Sequence, residues 1–233
     1  MDRYRIIQKR VGYSNSTLIV NGINSILVDT GVKGHLKMFK KMFNQFGLKP
    51  ADIKLIILTH THYDHTGNLY PLVELTGAKV LVHKNEFQNL KNGFTPIPKG
   101  QGFLTGIITR VGRAVLPGFA SPKAFTADLV NEGEFNLNEF GLNAKVISTP
   151  GHSEGSQSVL IDDKLISGDV FINLRNGIIF PHFANEPVLL LKTWKSLYDR
   201  GVKVIFPGHG PVMNVEKTFS AFEHWKKKLN VDF

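Results

Sequence analysis

An apolar strand, Ile53 to Leu58, runs without a break into Thr59-His60-Thr61-His62-Tyr63-Asp64-His65-Thr66-Gly67, so three histidines and an aspartate fall within six positions. Imidazole nitrogens and carboxylate oxygens are the ligand atoms that zinc and its neighbours in the transition series take. Two histidines at i and i+2, leaving an extended strand, can aim their rings at one point. A single histidine would mean little, because neutral histidines are commonly satisfied core or surface residues. Four closely spaced polar ligands after an apolar run have no packing purpose, and they mark a metal site.

Three further ligand-type residues stand in the same setting, each just past an apolar strand and beside glycine: Pro150-Gly151-His152, Ser167-Gly168-Asp169 and Pro207-Gly208-His209-Gly210. Glycine lets the backbone turn sharply and approach a ligand closely, and loops at strand ends are where sites gather. With the first cluster these residues make five histidines and two aspartates, enough for two metals with open coordination positions.

The rest of the chain supplies a frame of alternating strands and helices. Arg5 to Val11, Thr17 to Asn21 and Ser25 to Asp29 read as strands separated by Gly- and Asn-containing turns, an antiparallel opening. Leu36, Phe39, Met42, Phe43 and Phe46 recur at helical spacing and stop at Gly47. A short helix from Asn68 to Leu75 and a strand from Val80 to His83 follow. Strands are expected again at Ala144 to Ser148, Ser158 to Ile161, Leu165 to Ile166 and Val202 to Phe206, with helices near Val188 to Arg200 and Val215 to Leu229. Mixed strands and helices in both halves imply two sheets covered by helices.

One segment departs from this rhythm. Residues 87 to 127 contain no acidic residue, five basic ones and four prolines, and read as an insertion in a single domain spanning 1 to 233. Within it Phe103, Leu104, Ile107, Ile108, Val111 and Val115 fall at helical spacing, which predicts an amphipathic helix serving as a lid, a dimer contact or an extension of the core. Gly102, Gly106 and Gly112 weaken that helix by about 1 kcal/mol each relative to alanine.

Composition closes several alternatives. There is no cysteine, hence no disulfide, no thiolate nucleophile and no Cys ligand. No apolar run is long enough to cross a bilayer and no apolar stretch follows the charged start, so a soluble, cytoplasmic protein is expected. The net charge of +9 comes from basic residues scattered along the chain, with one small cluster at Lys226 to Lys228. That distribution reads as a solvated surface and not as a nucleic-acid module.

The HxHxDH run at His60 to His65, the later His152, Asp169 and His209 in that order, and Asp29 within Leu27-Val28-Asp29-Thr30-Gly31 together resemble the motifs of the metallo-β-lactamase superfamily, over roughly residues 17 to 211. The resemblance implies an α/β fold, a four-layer αββα sandwich with the site at one edge between two mixed sheets. It also implies roles. His60, His62 and His152 would hold one metal and Asp64, His65 and His209 a second, with Asp169 bridging them. Asp29 would lie behind the ligands and orient their loop. Two divalent ions, most simply zinc, with manganese or iron able to fill the same ligand set, would make this a dinuclear hydrolase. Two dications, two carboxylates and a bridging hydroxide leave a net charge of about +1, which acidifies bound water and polarises an acyl or phosphoryl oxygen. Asp64 and Asp169 are thereby catalytic as well as ligating.

The family name does not choose the substrate. True β-lactamases of this superfamily usually replace the bridging aspartate and often use a cysteine ligand, unlike this chain. Glyoxalase II is similar in motifs but normally adds a helical domain where only 24 residues follow His209. Flavodiiron proteins normally carry an acidic residue where His62 stands. The leading expectation is hydrolysis of an ester, thioester or lactone of a small molecule, with an apolar acyl or aryl group if the insertion forms a wall over the site, or a homo-oligomer if it buries itself against a second subunit. A phosphodiesterase or nuclease using the same two metals, and a sulfur dioxygenase with a single iron, are the alternatives. Among the remaining histidines, His83 reads as a structural strand-end residue and His35 and His224 as surface helix positions. His182, in Pro181-His182-Phe183 between Asp169 and His209, is the candidate to touch substrate or protonate a leaving group.

Overall fold

Alternation at a period of two, with both faces apolar, is what the central strands share, and it sorts their side chains into separate layers. A computed structural model describes residues 4–96, 99–101 and 122–233. Its first sheet contains β1 (Arg5–Val11), β2 (Ser14–Val20), β3 (Ser25–Val28), β4 (Ile53–Ile57), β5 (Lys79–His83) and β6 (Leu129–Asn131), in that spatial order. β1 to β3 pair antiparallel and β3 to β6 parallel. The second sheet runs β12 (Met213–Asn214), β11 (Val204–His209), β10 (Lys164–Ile172), β9 (Gln157–Ile161), β8 (Lys145–Ser148) and β7 (Glu134–Asn136), antiparallel except for the parallel β10–β11 pair.

Three apolar clusters fill the gaps between four layers. Leu18, Leu27, Ile56, Val80 and Val82 face outward from the first sheet and meet Phe39, Met42 and Phe43 of α1 (Leu36–Gln45) and Leu69 and Leu72 of α3 (Leu69–Thr76). Their sequence neighbours Ile19, Ile26, Leu55, Ile57 and Leu81 face inward and meet Val146, Val159, Ile161 and Ile166 of the second sheet. On the far side Leu165 and Ile205 pack against Leu190, Leu191, Trp194 and Leu197 of α5 (Pro187–Asp199), with Phe222 of α6 (Phe219–Leu229). The expected αββα sandwich is therefore present, and period-two alternation is its cause.

Most expected elements form within a residue or two of their sequence positions. The short strands β6 and β7 carry no alternating apolar signal, and their pairing depends on the sheets around them. β10 is much longer than Leu165–Ile166, because its parallel pairing to β11 continues through irregularities on either side of Gly168. Asp169 consequently lies inside a strand and not in a loop after one. The helix α4 (Lys84–Asn92) occupies the start of the 87–127 segment, and Phe87, Leu90, Phe125 and Ala127 from its two ends pack into the outer cluster of the first sheet. Lys99–Gln101 pairs by backbone hydrogen bonds with His182–Ala184. The amphipathic helix expected between Phe103 and Val115 lies outside the described residues.

Candidate metal centre

The ends of β4, β10 and β11 and the loop after β8 converge at one edge between the sheets. β4 delivers His60 and His62; α2 (Tyr63–Thr66), one turn long, then carries Asp64 and His65. His152 follows β8, Asp169 comes from within β10, and His209 is the last residue of β11. Close backbone approach at this edge needs glycine. A Cβ on Gly208 would lie 2.1 Å from Asp169 Oδ1, and one on Gly168, at φ +52°, would lie 2.4 Å from Thr59 Oγ1. Behind β10, Phe171 stacks on Trp194, whose Nε1–H donates to the Val170 carbonyl at 2.8 Å, so the strand that carries Asp169 is fixed from its far side.

All seven ligand-type residues meet here, in overlapping trios. The ligand atoms of His60, His62 and His152 lie within 4.8 Å of one another, as do those of Asp64, His65 and His209, and those of His60, His65 and Asp169. Asp169 faces both groups: Oδ1 is 3.3 Å from His65 Nε2, while Oδ2 is 3.2 Å from His209 Nε2 and 3.7 Å from His152 Nε2. Four imidazoles are crowded together, with ring centroids of His60 4.3 to 4.8 Å from those of His65, His62 and His152. His60 Nε2, His65 Nε2 and Asp169 Oδ1 are buried without a hydrogen-bond partner; His65 Nε2 and Asp169 Oδ1 are near each other but not aligned for one. Buried polar atoms left this way are costly, and the donor set fits cations of the zinc type placed among them.

The opposite ring nitrogens explain why these lone pairs point inward. His65 Nδ1–H donates to Asp29 Oδ2 at 2.8 Å. The same carboxylate accepts from Thr59 N–H at 2.8 Å and from the Thr59 hydroxyl at 2.7 Å, which leaves that hydroxyl to accept from His60 Nδ1 at 3.0 Å. His152 Nδ1–H donates to the Phe183 carbonyl and His209 Nδ1–H to the Tyr13 carbonyl, each at 2.8 Å. In all four residues Nδ1 is thereby engaged and Nε2 is the nitrogen turned inward, where a cation would take the place of any proton it holds. His62 differs, since its Nδ1 faces His152 Nε2 at 3.1 Å. Asp29 adopts φ 60°, a left-handed conformation that aspartate tolerates at some cost, and the bonds converging on its carboxylate hold it there.

Without cations, protons divide the site in two. Burial pulls His62 and His152 down to about 4, and burial together with its histidine neighbours pulls His60 well below the ordinary imidazole value. Burial also opposes charge on His209, but Asp169 and Asp64, at 3.2 and 3.3 Å, push it up to about 10. His65, against the same burial, is raised by Asp169, Asp64 and Asp29. The three-histidine group is thus neutral and ready for a cation, while the group holding Asp64 carries protons that a cation would displace.

A cavity of about 410 Å³ opens onto these ligands. Ile172, Leu174, Pro181, Phe183 and Pro96 line it, together with Thr95, Tyr13, Tyr63 and several of the metal ligands. No Lys or Arg lines it among the described residues. Tyr13 and Tyr63 share a short hydroxyl–hydroxyl hydrogen bond at its mouth, and burial first, then Tyr63 and Asp64, raises the Tyr13 pKa, so its phenol stays protonated. His182 reaches the lining but is exposed. His83 caps α4, accepting from Asn85 N–H, and its Nε2 meets Ser148 Oγ at 2.8 Å, a structural role as expected. His35 is not a surface helix position: it stands half-buried just before α1, without a side-chain capping bond and with its Nδ1 against the Val32 carbonyl, whereas His224 is exposed on α6 as expected. Tyr13 carries no signal in the sequence, because it reaches the site from a distant segment, whereas Tyr63 stands inside the ligand run between His62 and Asp64.

A protein-family model described as the metallo-beta-lactamase superfamily matches residues 10–209. The probable metallo-hydrolase MJ0888 of Methanocaldococcus jannaschii is 29% identical over 217 residues, spanning 86% of this chain and 90% of that protein. Hydroxyacylglutathione hydrolase of Shewanella pealeana is 30% identical over 144 residues, 62% of this chain and 43% of that protein. The crystal structure of TTHA1623 in a di-iron-bound form matches with a TM-score of 0.66 at 24% identity, covering 92% of this chain and 96% of that one, a likeness of fold.

Proposed function

We propose that this chain, a metal-dependent hydrolase belonging to the metallo-β-lactamase superfamily, cleaves an ester, thioester or lactone of a small molecule that carries an apolar acyl or aryl group. The observation that carries the reading is the cavity of about 410 Å³, walled by Ile172, Leu174, Pro181 and Phe183 and opening directly onto two groups of metal ligands. In this reading His60, His62 and His152 would hold one ion and Asp64, His65 and His209 the other, with Asp169 placed to serve both. Zinc is the ion proposed, although the di-iron form of the similar TTHA1623 keeps iron in view, and the setting proposed is cytoplasmic. Among the described residues no helix is long and apolar enough to cross a membrane.

The chemistry such ions supply is acidification of water and polarisation of a carbonyl oxygen. The protein's own groups do the rest. Asp29, Thr59, Tyr13 and Phe183 fix the ligand tautomers through the bonds already described. The apolar wall excludes water from the acyl group and selects its length. Tyr13 keeps its proton at neutral pH and donates it to the Tyr63 hydroxyl, which leaves the Tyr63 O–H to be offered, as a hydrogen bond, to oxygen or sulfur of the departing group. His182, at the cavity rim, is the residue proposed to contact the distal part of the substrate.

Two groups of ligands favour this reading over a single-iron dioxygenase. The lack of a cationic lining residue among the described ones favours it over a phosphodiesterase, whose substrate is anionic. The test is a hydrolysis panel of aryl esters, acyl thioesters, lactones, phosphodiesters and a β-lactam, run with zinc-loaded protein. Turnover of the carboxylic substrates is expected to dominate. Preference for the phosphodiester, or oxygen consumption with a sulfur substrate, would overturn it.

A further inference from the structure

Glu86 is almost wholly buried, at 2% exposure, in the first turn of α4, and no Lys or Arg pairs with it among the described residues. A buried carboxylate met only by neutral groups is expensive unless hydrogen bonds and a nearby cation compensate it. The hydrogen bonds are present. Glu86 Oε2 accepts a short bond from the Thr61 hydroxyl, and Oε1 accepts from the Ser153 hydroxyl at 2.6 Å. Thr61 stands between His60 and His62 in the chain, and Ser153 directly follows His152. One side chain therefore ties together the two loops that carry the three histidines, which approach from different sheets.

The surroundings reinforce the tie. Ser153 N–H donates to Ser156 Oγ at 3.0 Å, and Thr95 Oγ1 donates to the Thr61 carbonyl at 2.7 Å. Space around the carboxylate is closed, since a Cβ on Gly155 would lie 2.6 Å from Glu86 Cγ. Asp29 does the corresponding work for His65. Asp29 stands directly behind His65 and, through the Thr59 hydroxyl, behind His60, whereas Glu86 stands behind the loops of His62 and His152.

We infer that Glu86 is the positioning residue of the three-histidine metal site, setting the approach of His62 to His152 through Thr61 and Ser153 and supplying the buried negative charge that a cation there requires. This rests on the two-metal reading of the site and on no choice of substrate, so metal binding tests it without turnover. Cobalt(II) is titrated into metal-free wild type, Glu86→Ala and Glu86→Gln, in competition with a chelator. Visible bands distinguish the three-histidine site from the mixed carboxylate one. Glu86→Ala is expected to weaken the three-histidine site by about 10–100-fold and leave the other unchanged, with Glu86→Gln, which keeps the shape, recovering part of the loss. Wild-type affinity in Glu86→Ala, or equal weakening at both sites, would overturn the proposal. If Glu86→Ala does not fold, Thr61→Ala/Ser153→Ala removes the same two donors and is read on the same titration with the same outcomes. Loss of ester turnover with unaltered cobalt binding counts against Glu86 alone, and normal cobalt behaviour with no carboxylic substrate counts against the proposed reaction alone.

Discussion

Replacing Asp29 by asparagine exchanges one acceptor oxygen for an NH₂ among three converging donors, which a single amide oxygen cannot all satisfy. The carboxylate accepts from Thr59 N–H at 2.8 Å, the Thr59 hydroxyl at 2.7 Å and His65 Nδ1–H at 2.8 Å, with Asp29 only 3% exposed. An amide has one oxygen. If that oxygen faces His65 and the hydroxyl, the new NH₂ opposes the Thr59 N–H and leaves a buried donor unpaired, at a cost of about 1–3 kcal/mol. If the amide turns over, the NH₂ meets His65 Nδ1, and the ring relieves the conflict only by moving its proton to Nε2, the atom that faces the metals. An ion at Asp64, His65 and His209 should therefore bind about 10–100-fold more weakly, roughly 1.4–2.7 kcal/mol, while the three-histidine site, reached only indirectly through Thr59 and His60, should weaken less. Chelator competition on the folded variant, with near-ultraviolet circular dichroism as the control, measures both. An Asp29→Asn protein that is folded and binds two ions with wild-type affinity would refute the tautomer argument.

Asp169→Ala should lose the more weakly held ion and most turnover, and elemental analysis after zinc-replete expression should drop from two ions per chain towards one. Without metal the variant should stay folded but melt lower at neutral pH, because Asp169 is the carboxylate that pairs with His65 and His209 there. Cation binding should release protons unevenly. Near pH 8 His209, pushed up to about 10, is protonated and must give up its proton on binding, with His65 shifted in the same direction, whereas His62 and His152, lowered to about 4, are already neutral. The release should diminish as pH rises through about 10, where His209 loses its proton beforehand; calorimetry in buffers of different ionisation enthalpy would record it, and proton-free binding of both ions at pH 8 would contradict it. In a short acyl series, kcat/KM should climb by up to about fourfold per methylene, from roughly 0.8 kcal/mol each, and Leu174→Ser with Phe183→Ser should flatten that slope; a flat wild-type profile would remove the apolar wall from the account.

The ligands themselves are legible in the sequence because each follows a strand-end signal that is local: an apolar run, a glycine or a turn, then His or Asp. The alternation of Leu18 with Ile19, or Ile56 with Ile57, likewise announces strands buried on both faces, and two such sheets have few ways to pack. What tertiary structure alone decided is which strand ends abut. That juxtaposition brings Asp29 to His65 across 36 positions, the Tyr13 carbonyl to His209 across 196, and Glu86 to both Thr61 and Ser153. It also runs β10 on past Gly168, so that Asp169 emerges from a strand and not from a loop. Local periodicity encodes an element and its faces, since both depend on neighbouring dihedrals. The hydrogen bonds that orient the ligands join residues with no periodic relation, and they exist only once the sheets have closed on each other.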